Sequence, residues 1–311
     1  MKKSTTILVA GGETPAGAAL AARCRQGGRA VAVLSAGDTD DWRDAAAVEA
    51  AIRAVRPSFM VVAAGESGGI ALNRAHPARL MESNLRVVLH AVGTAARLGV
   101  PRLLYLASSC CYPRDAEQPL RPESLGTGPF EPTNAAYSAA KMAGVMFCQA
   151  IAAERGLEFF AAIPSTVYGP EDHFDSERAH VVTGMLRRMH EAKRKGEGTF
   201  TVWGTGKPRR DFLFSRDLAD ACLFLGDREE AVRGVIHIGP GTALSIAEVA
   251  EAVRQVVGYR GEIVFDTGKP DGAPVKYLDA SPLLGMGWKP AVSFEDGLAE
   301  TYAALRVRLD G

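Results

Sequence analysis

The first half of the chain alternates short apolar runs with longer, alanine-rich stretches. Apolar runs of strand length cover residues 6–10, 30–34, 59–64, 102–107 and 159–163. Stretches of helical length and composition lie between them, at residues 16–25, 46–55, 78–98 and 135–155. Because strands that alternate with helices form a parallel sheet with both faces covered, the pattern predicts an α/β fold with a doubly wound parallel sheet.

The second half has a less regular pattern. It predicts a helix over residues 180–195 and another, opened by the capping box of Ser245 and Glu248, that runs to Val257. A last amphipathic helix starts near Ser293, and short strands are predicted at residues 199–203, 212–214, 235–238 and 262–266. We therefore predict two domains: a sheet domain over residues 1–170, to which part of 211–240 returns, and a smaller C-terminal α/β lobe over residues 171–311.

Composition excludes several classes of protein. The chain has 36 basic and 36 acidic residues, so no excess charge suggests a nucleic-acid partner. No apolar run approaches the roughly 20 residues of a membrane span, and the run after Met1 is too short for a signal peptide, so we expect a cytoplasmic protein. The five cysteines lack metal-ligand spacing and are odd in number, so we predict no metal site and no disulfide framework.

Three residues point to proton transfer at a carbinol oxygen. Ser108 follows a predicted buried strand, and Tyr137 and Lys141 are four residues apart in a predicted helix, which places them on one face. We expect the Lys141 ammonium to favour the phenolate and so to lower the pKa of Tyr137. These residues suit a reaction in which a hydride is transferred to or from a carbon while a proton is transferred to or from the oxygen bonded to it.

A glycine-containing loop follows the first strand and opens the first helix. Gly11 and Gly17 have the outer spacing of a dinucleotide-binding loop, with Thr14 at the middle position, and Gly12, Pro15 and Ala16 complete the segment. In this context the loop predicts a Rossmann-like domain that binds NAD(P) over residues 1–170. The second strand ends at Ser35, and Gly37 and Asp38 follow it. Directly at the strand end there is neither an acidic residue, which would bind the adenosine ribose of NAD, nor an arginine, which would bind the phosphate of NADP. Glu13 would repel a phosphate, so NAD(H) is plausible.

Further segments match longer motifs. The most specific runs from Ser108 to Pro113 with the letters SSCCYP; others are EPTN ending at Asn134, YGP starting at Tyr168, AHV containing His180, WGTG starting at Trp203 and KPDGAP starting at Lys269. On these segments the chain, from about residue 5 to about residue 305, resembles the extended short-chain dehydrogenase/reductases and, within them, the GDP-L-fucose synthase family.

The resemblance implies a bifunctional enzyme that epimerises carbons 3 and 5 of GDP-4-keto-6-deoxy-D-mannose and then reduces carbon 4. By resemblance Cys110 would be the base and His180 the acid of the epimerisation. Cys111 is the other candidate, but it would point the opposite way if the strand continues. Tyr137 would donate a proton to the carbonyl oxygen, Lys141 would hold the nicotinamide ribose and Ser108 would bind the carbonyl oxygen.

The expected binding residues extend over both halves of the chain. For the cofactor they are Gly11, Gly12, Thr14, Pro15, Ala16, Gly17, Ala63, Ala64, Tyr137, Lys141, Pro164 and Val167. For the nucleotide-sugar substrate they are Arg188, Trp203, Arg210 and Lys276, with Arg187 as a further candidate; Trp203 could equally be a buried core residue.

The chain departs from the family pattern around the cofactor loop. The family usually has a glycine at the position of Thr14 and arginines at those of Glu13 and Ser35, which would hold the NADP phosphate. The resemblance thus implies NADP(H), whereas these residues favour NAD(H). It also implies a homodimer.

Two other functions remain open. One is a related enzyme that only epimerises or only reduces, for example on a GDP-deoxyheptose. The other is a non-catalytic sensor of nucleotide sugars or dinucleotides, which the intact set of proton-transfer residues disfavours.

Overall fold

The computed structural model describes residues 6–37, 41–174 and 179–310. The N-terminal Met1 and the Asp38 considered above lie outside the described residues. The strands are β1 (Ile7–Ala10), β2 (Val31–Leu34), β3 (Phe59–Val62), β4 (Arg102–Leu106), β5 (Glu158–Pro164), β6 (Thr166–Tyr168), β7 (Thr199–Trp203), β8 (Arg209–Arg210), β9 (Phe212–Phe214), β10 (Val235–Ile238), β11 (Leu244–Ser245), β12 (Glu262–Asp266) and β13 (Val275–Lys276).

The helices alternate with these strands in the first half and cover the smaller sheets in the second. They are α1 (Pro15–Gln26), α2 (Ala45–Val55), α3 (Ile70–Ala75), α4 (Pro77–Val87), α5 (Gly93–Arg97), α6 (Ala135–Arg155), α7 (Val181–Lys195), α8 (Ser215–Asp227), α9 (Ile246–Val257), α10 (Ser281–Gly285) and α11 (Phe294–Asp310). Within the described ranges, none of these helices has both the length and the apolarity that a membrane span requires.

A parallel sheet forms the centre of the first domain, as the alternation of elements predicts. In the described residues its strand order is β10-β5-β4-β3-β1-β2, with β1 paired to both β2 and β3. Successive side chains of β1 are buried on opposite faces: Leu8 joins the core beneath α2 and α6, and Ile7 joins the core beneath α1 and α8. The Rossmann-like fold class is therefore confirmed. Because β2 and β3 lie on opposite sides of β1, the strand order reverses between β1 and β3, which opens a crevice at their carboxyl ends.

The smaller lobe packs around its own core. β7 pairs with β12, β8 pairs with β11 and β13, and β6 pairs with β9. Leu186 of α7 and Val249 of α9 are among the buried side chains of this core. A buried hydrogen-bond chain links the lobe to the first domain: Tyr112 Oη lies 2.5 Å from His237 Nε2, and His237 Nδ1 lies 2.9 Å from the Asp279 carbonyl oxygen.

Several predicted elements differ from the observed ones. The stretch predicted as one helix at residues 78–98 consists of α4, a π-helical turn at Val88–Val92 and α5. The strand predicted at residues 59–64 ends at Val62. The Ala63 backbone nitrogen still donates a hydrogen bond to the Ala10 carbonyl oxygen of β1, and Ala64 then lies against the glycine loop. Helix α8 was not predicted, since it begins at Ser215 directly after β9 without a turn residue between them.

Candidate active site

The carboxyl ends of the central strands line a cavity of about 300 Å³. All five predicted catalytic residues reach it, although they come from three separate parts of the chain: Ser108, Cys110, Tyr137, Lys141 and His180. Nine of the predicted cofactor residues also line it: Thr14, Pro15, Ala16, Ala63, Ala64, Tyr137, Lys141, Pro164 and Val167. Gly11, Gly12 and Gly17 lie behind these residues and shape the loop through their lack of a side chain.

The glycine loop packs too closely for any side chain at two positions. Gly11 has φ +100°, and a Cβ there would lie 2.4 Å from the backbone nitrogen of Ala64. A Cβ on Gly17 would lie 2.0 Å from the carbonyl oxygen of Gly11. The backbone of the loop therefore packs against Ala63 and Ala64, just after β3, and against the first turn of α1, whose N-terminus faces the cavity. This cradle fits the pyrophosphate of a nicotinamide dinucleotide.

Thr14 has a backbone conformation that any residue can adopt, so the glycine usual at this position of the loop is not required here. Its φ of −81° and ψ of 152° are extended, and it is the N-cap of α1. Its Oγ1 accepts a hydrogen bond from the Gly17 backbone nitrogen at 3.1 Å and donates one to the Gly11 carbonyl oxygen at 2.8 Å. The threonine thus closes the turn through its side chain.

Lys141 is buried between the ends of two strands. The residue is 6% exposed, and its ammonium lies 3.2 Å from the carbonyl oxygen of Leu106 in β4 and 3.4 Å from that of Ala64, just after β3. Burial lowers the pKa of Lys141 to about 8. Helix α6 thereby attaches to the edge of the sheet at which Tyr137, one turn earlier, reaches the cavity.

The expectation that Lys141 lowers the pKa of Tyr137 is wrong for this structure. Burial raises the pKa of the Tyr137 phenol, the nearby Cys110 raises it further, and a hydrogen bond with Ser108 opposes the rise. The Lys141 ammonium does not contribute because it is directed at strand carbonyl oxygens. Tyr137 is consequently a neutral phenol across the neutral range, which suits a proton donor better than a proton acceptor.

The two adjacent cysteines have different surroundings. β4 ends at Leu106, and Ser109–Cys111 form a 3₁₀ turn capped by Ser108, so the strand does not continue as considered above. The turn places Cys110 at the cavity and buries Cys111, whose thiol has its pKa raised to about 12 by burial. Asn134 Nδ2 donates a hydrogen bond to Cys110 Sγ at 3.2 Å. Of the two thiols, Cys110 is the one that a ligand can reach.

His180 stands at the N-cap of α7 beside a buried carboxylate. Its Nδ1 lies 3.3 Å from Oδ1 of Asp172, whose side chain is 2% exposed while that of His180 is 46% exposed. The hydrogen bond with Asp172 raises the pKa of the His180 imidazole, and burial opposes the rise. His180 is thus favoured as a proton donor.

A second cavity, of about 450 Å³, opens on the other side of His180. Arg188, Trp203 and Arg210 line it, and Trp203 is 70% exposed, so the alternative of a buried core tryptophan is wrong. Lys276 is outside the lining but is paired in register with Arg210 on neighbouring strands. Arg187 instead bonds Glu191 at 2.9 Å and the Phe174 carbonyl oxygen, away from this cavity.

The charged side chains around Glu13 of the cofactor loop already have hydrogen-bond partners. Trp42 Nε1 donates a hydrogen bond to Glu13 Oε1 at 2.7 Å, and the indole of Trp42 is buried. Arg43 bonds the carboxylate of Asp41, and Ser35 faces the position at which Gly12 would carry a Cβ. Glu13 is therefore held in place, and the guanidinium of Arg43 is already partnered.

Sequence reasoning gave no role to two residues that contact predicted catalytic residues. Asn134 is the last residue of the matched EPTN segment, whereas Asp172 lies two residues beyond the YGP segment. Only the fold shows that these residues contact His180 and Cys110.

Known proteins resemble the chain over most of its length. Residues 7–239 match the model of the NAD dependent epimerase/dehydratase family. GDP-L-fucose synthase 1 of Arabidopsis thaliana is 41% identical over 300 residues, which are 96% of this chain and 93% of that protein. A GDP-6-OMe-4-keto-L-xylo-heptose reductase from C. jejuni superposes with a TM-score of 0.88 at 26% identity, covering 98% of this chain and 99% of that one. An NADP-bound GDP-L-fucose synthetase from Naegleria fowleri has a TM-score of 0.87 at 25% identity, covering 100% and 96%.

Proposed function

The chain belongs to the NAD dependent epimerase/dehydratase family, and from that premise we propose that it converts GDP-4-keto-6-deoxy-D-mannose to GDP-L-fucose. The reaction comprises epimerisation at carbons 3 and 5 of the sugar, followed by reduction of the 4-keto group. In this proposal residues 1–170 bind the cofactor, and residues 171–311 bind most of the nucleotide sugar.

One observation carries the proposal. Two acid–base groups, Cys110 and His180, and the reductase set of Ser108, Tyr137 and Lys141 line the same cavity. A simple reductase has no use for a reachable thiol and an imidazole beside its tyrosine. The combination suits a substrate that must be deprotonated and reprotonated on carbon as well as reduced.

The epimerisation needs a base and an acid on opposite faces of the sugar. The 4-keto group acidifies the hydrogens on carbons 3 and 5, and the Cys110 thiolate takes one of them to give a thiol and an enolate. His180 then returns a proton from Nε2 to the other face of the same carbon and becomes neutral. Charge is conserved, because a thiolate and an imidazolium become a thiol and an imidazole.

The reduction uses the residues on the sheet side of the cavity. A bound nicotinamide supplies the hydride for carbon 4. Tyr137 donates its phenolic proton to the carbonyl oxygen, and Ser108 hydrogen-bonds that oxygen where negative charge develops. The raised pKa of Tyr137 supports this role because the phenol stays protonated until it reacts. Lys141 would hold the nicotinamide ribose.

The second cavity accommodates the nucleotide part of the substrate. Arg210 is held by the carbonyl oxygen of Ala273 at 2.8 Å, and Lys276 is its neighbour on the adjacent strand. Together they offer a planar guanidinium and an ammonium to the diphosphate. Arg188 and the exposed face of Trp203 bind the remainder of the nucleotide sugar, and His180, shared by both cavities, stands where the sugar must lie.

For the nicotinamide cofactor we propose a preference for NADH over NADPH. The Glu13 carboxylate is fixed by Trp42 at the end of the loop where an adenosine ribose would lie, and Arg43 is paired with Asp41. A carboxylate accepts hydrogen bonds from ribose hydroxyls and repels a phosphate. The resemblance to an NADP-bound structure favours the opposite preference, so the two cofactors must be compared directly.

We propose a homodimer formed through α4 and α6, which pack against each other on one side of the sheet. Met146 of α6 and Leu89, just after α4, are each more than half exposed, and Met81 adds to this apolar surface. Light scattering should give the dimer mass for the native protein, and L89D/M146D should give the monomer mass. A monomeric native protein would exclude this proposal.

We also propose that the enzyme acts in the cytoplasm. All five cysteines are free, and Cys110 must stay reduced, without a disulfide, to act as a base. Fractionation of the source cells tests this location.

The decisive experiment gives the purified enzyme GDP-4-keto-6-deoxy-D-mannose in D₂O with NADH or NADPH, and follows cofactor oxidation and product configuration together. GDP-L-fucose deuterated at carbons 3 and 5 is the expected product. Reduction without deuterium would identify a 4-ketoreductase, like the heptose reductase that the structure resembles. Deuterium exchange without oxidation of either cofactor would identify an epimerase. The absence of both reactions would refute the proposed function.

A further inference from the structure

Asp172 is a buried carboxylate surrounded by donors. Oδ1 accepts hydrogen bonds from the His173 backbone nitrogen at 2.8 Å and from Nδ1 of His180 at 3.3 Å. Oδ2 accepts one from Oγ1 of Thr183, in the first turn of α7, at 2.9 Å. Both oxygens are therefore fixed, and the carboxylate reaches the wall of the cofactor cavity beside His180.

We propose that Asp172 is a positioning residue for His180, which holds the proton on Nδ1 and leaves Nε2 as the nitrogen that exchanges protons with the substrate. This inference rests on the proposed function for the role of His180 as an acid. The contact itself is independent of which sugar is bound.

The tautomer follows from the partners. A carboxylate oxygen without a proton can only accept, so the Nδ1 that faces it must carry hydrogen in both charge states of the imidazole. Nε2 then loses its proton to the substrate carbon and later regains one. Without Asp172, a neutral His180 could carry its proton on either nitrogen, and the imidazolium would lose a stabilising charge.

The charged groups around His180 single out Asp172 as the cause of its raised pKa. Its pKa is raised first by the hydrogen bond with Asp172, against the opposing effect of burial. Among the described residues, the other charged or titratable groups at the two cavities and against Asp172 are Glu66, Cys110, Tyr137, Lys141, Arg188, Arg210, Asp271 and Arg308. None of them is among the causes of the shift, so Asp172 is the group to remove.

His237 provides an internal comparison. Its Nδ1 bonds the carbonyl oxygen of Asp279 and its Nε2 bonds Tyr112, so no nitrogen is left for a ligand. Burial lowers the pKa of His237. The pKa of His180 should thus lie above that of an unperturbed imidazole, and the pKa of His237 should lie below it. Only His180, beside the carboxylate, should respond to a change at position 172.

Asp172 also connects the loop to α7, so a purely structural role must be separated from a positioning role. Thr183→Val removes one hydrogen bond to the carboxylate and keeps the His180 contact. If the carboxylate acts only as an anchor, Thr183→Val and Asp172→Asn should have similar effects. If it positions His180, Asp172→Asn alone should change the imidazole.

The experiment is an NMR titration of the ¹⁵N-histidine-labelled protein, with the His180 signal assigned from its absence in His180→Gln. In the native protein we expect neutral His180 to carry its proton on Nδ1. In Asp172→Asn the pKa of His180 should fall while that of His237 stays unchanged. Deuterium exchange into the substrate should lose at least about tenfold in kcat with KM little changed, because a positioned acid contributes on the order of 10²–10⁴.

The proposal is overturned if native His180 carries its neutral proton on Nε2, a result that needs no folded variant. It is also overturned if the pKa of His180 is the same in Asp172→Asn, or if Thr183→Val shifts it equally. Native protein that exchanges no deuterium, yet shows the Nδ1 tautomer and the Asp172-dependent pKa, would refute the proposed function and leave the Asp172–His180 contact established.

Discussion

Asn134 Nδ2 donates a hydrogen bond to Cys110 Sγ at 3.2 Å, and the buried Ser138 hydroxyl lies 3.2 Å from Asn134 Oδ1. The Ser138 hydroxyl also lies 3.0 Å from the Asn134 backbone carbonyl oxygen and shares its proton between the two acceptors, and the NH₂ group of Asn134 is the one that faces the sulfur. A donor to sulfur stabilises the thiolate more than the thiol. The Asn134 amide is therefore the group placed to hydrogen-bond the sulfur when Cys110 takes a proton from carbon.

Asn134→Ala should slow the alkylation of Cys110. Since hydrogen bonds to charged groups contribute about 1.5–3 kcal/mol, a loss of roughly tenfold or more in the rate with iodoacetamide at pH 7 is expected. Peptide mass spectrometry measures the rate at each cysteine. Cys111 is the internal control, because its buried thiol, with a pKa of about 12, should stay unmodified in both proteins. Equal rates at Cys110 would show that Asn134 does not act on the thiolate.

Tyr137→Phe should separate the two halves of the reaction. Loss of the phenolic proton should lower kcat for ketoreduction at least about 100-fold, since general acids contribute on the order of 10²–10⁴. Deuterium exchange at carbons 3 and 5 should persist because Cys110 and His180 remain. Tyr168→Phe is the matched control, as its hydroxyl bonds the Phe294 carbonyl oxygen away from the cavity and its loss should leave kcat nearly unchanged. Full ketoreduction by Tyr137→Phe would contradict the assigned proton donor.

Lys141→Met should stabilise the protein while it abolishes reduction. The folded-state pKa of Lys141, about 8, is lower than the usual 10.5, so the native state binds its proton less tightly than the unfolded state does. The native protein should therefore gain stability as pH rises from about 8 to 10.5, and the variant should lack this gain. At pH 6.5 the variant should exceed the native protein by about 1–3 kcal/mol in free energy of unfolding, with a smaller gap at pH 9.5.

Urea denaturation at the two pH values measures this gap. Lys193→Met is a suitable control, because its ammonium bonds the Val257 carbonyl oxygen from a more exposed position. A gap for Lys141→Met that is the same at both pH values would show that the ammonium is not destabilised by burial.

Glu13→Arg should reverse the choice of cofactor. Replacing the carboxylate by a guanidinium exchanges repulsion for attraction at a 2′-phosphate, so the ratio of the Kd of NAD⁺ to that of NADP⁺ should rise at least about tenfold. Glu13→Gln can still accept the Trp42 hydrogen bond and should give an intermediate ratio. Isothermal titration of the purified protein gives both constants without turnover. A ratio that neither variant changes would exclude Glu13 as the selecting residue.

Arg210→Met should weaken substrate binding without impairing the chemistry. Loss of a charge-assisted contact to the diphosphate should raise KM roughly 10- to 100-fold with kcat little changed. Arg209→Met is the matched control: successive strand side chains point to opposite faces, and Arg209 contacts the Ala243 carbonyl oxygen and Glu248 instead of lining the cavity. Equal effects of the two substitutions would place the diphosphate elsewhere.

Much of the fold could be predicted because the hydrophobic pattern of the first half is regular. Helix α6 is observed at the predicted residues 135–155, and the capping box of Ser245 and Glu248 opens α9 as predicted. The short strands β8 and β13 could not be predicted, since two-residue pairings are stabilised by partners distant in sequence. The domain boundary at residue 170 remains a prediction.

The sequence by itself determined which chemical groups this protein has and which of them are near neighbours: the four-residue spacing of Tyr137 and Lys141, the pair Cys110 and Cys111, and the glycines at 11 and 17. Local spacing sets helical faces and turn conformations, so these inferences needed no fold. Only the tertiary structure decided which cysteine reaches the cavity, where the Lys141 ammonium points and which carboxylate holds His180. Burial and contacts between distant segments set pKa values and tautomers, and they exist only once the chain has folded.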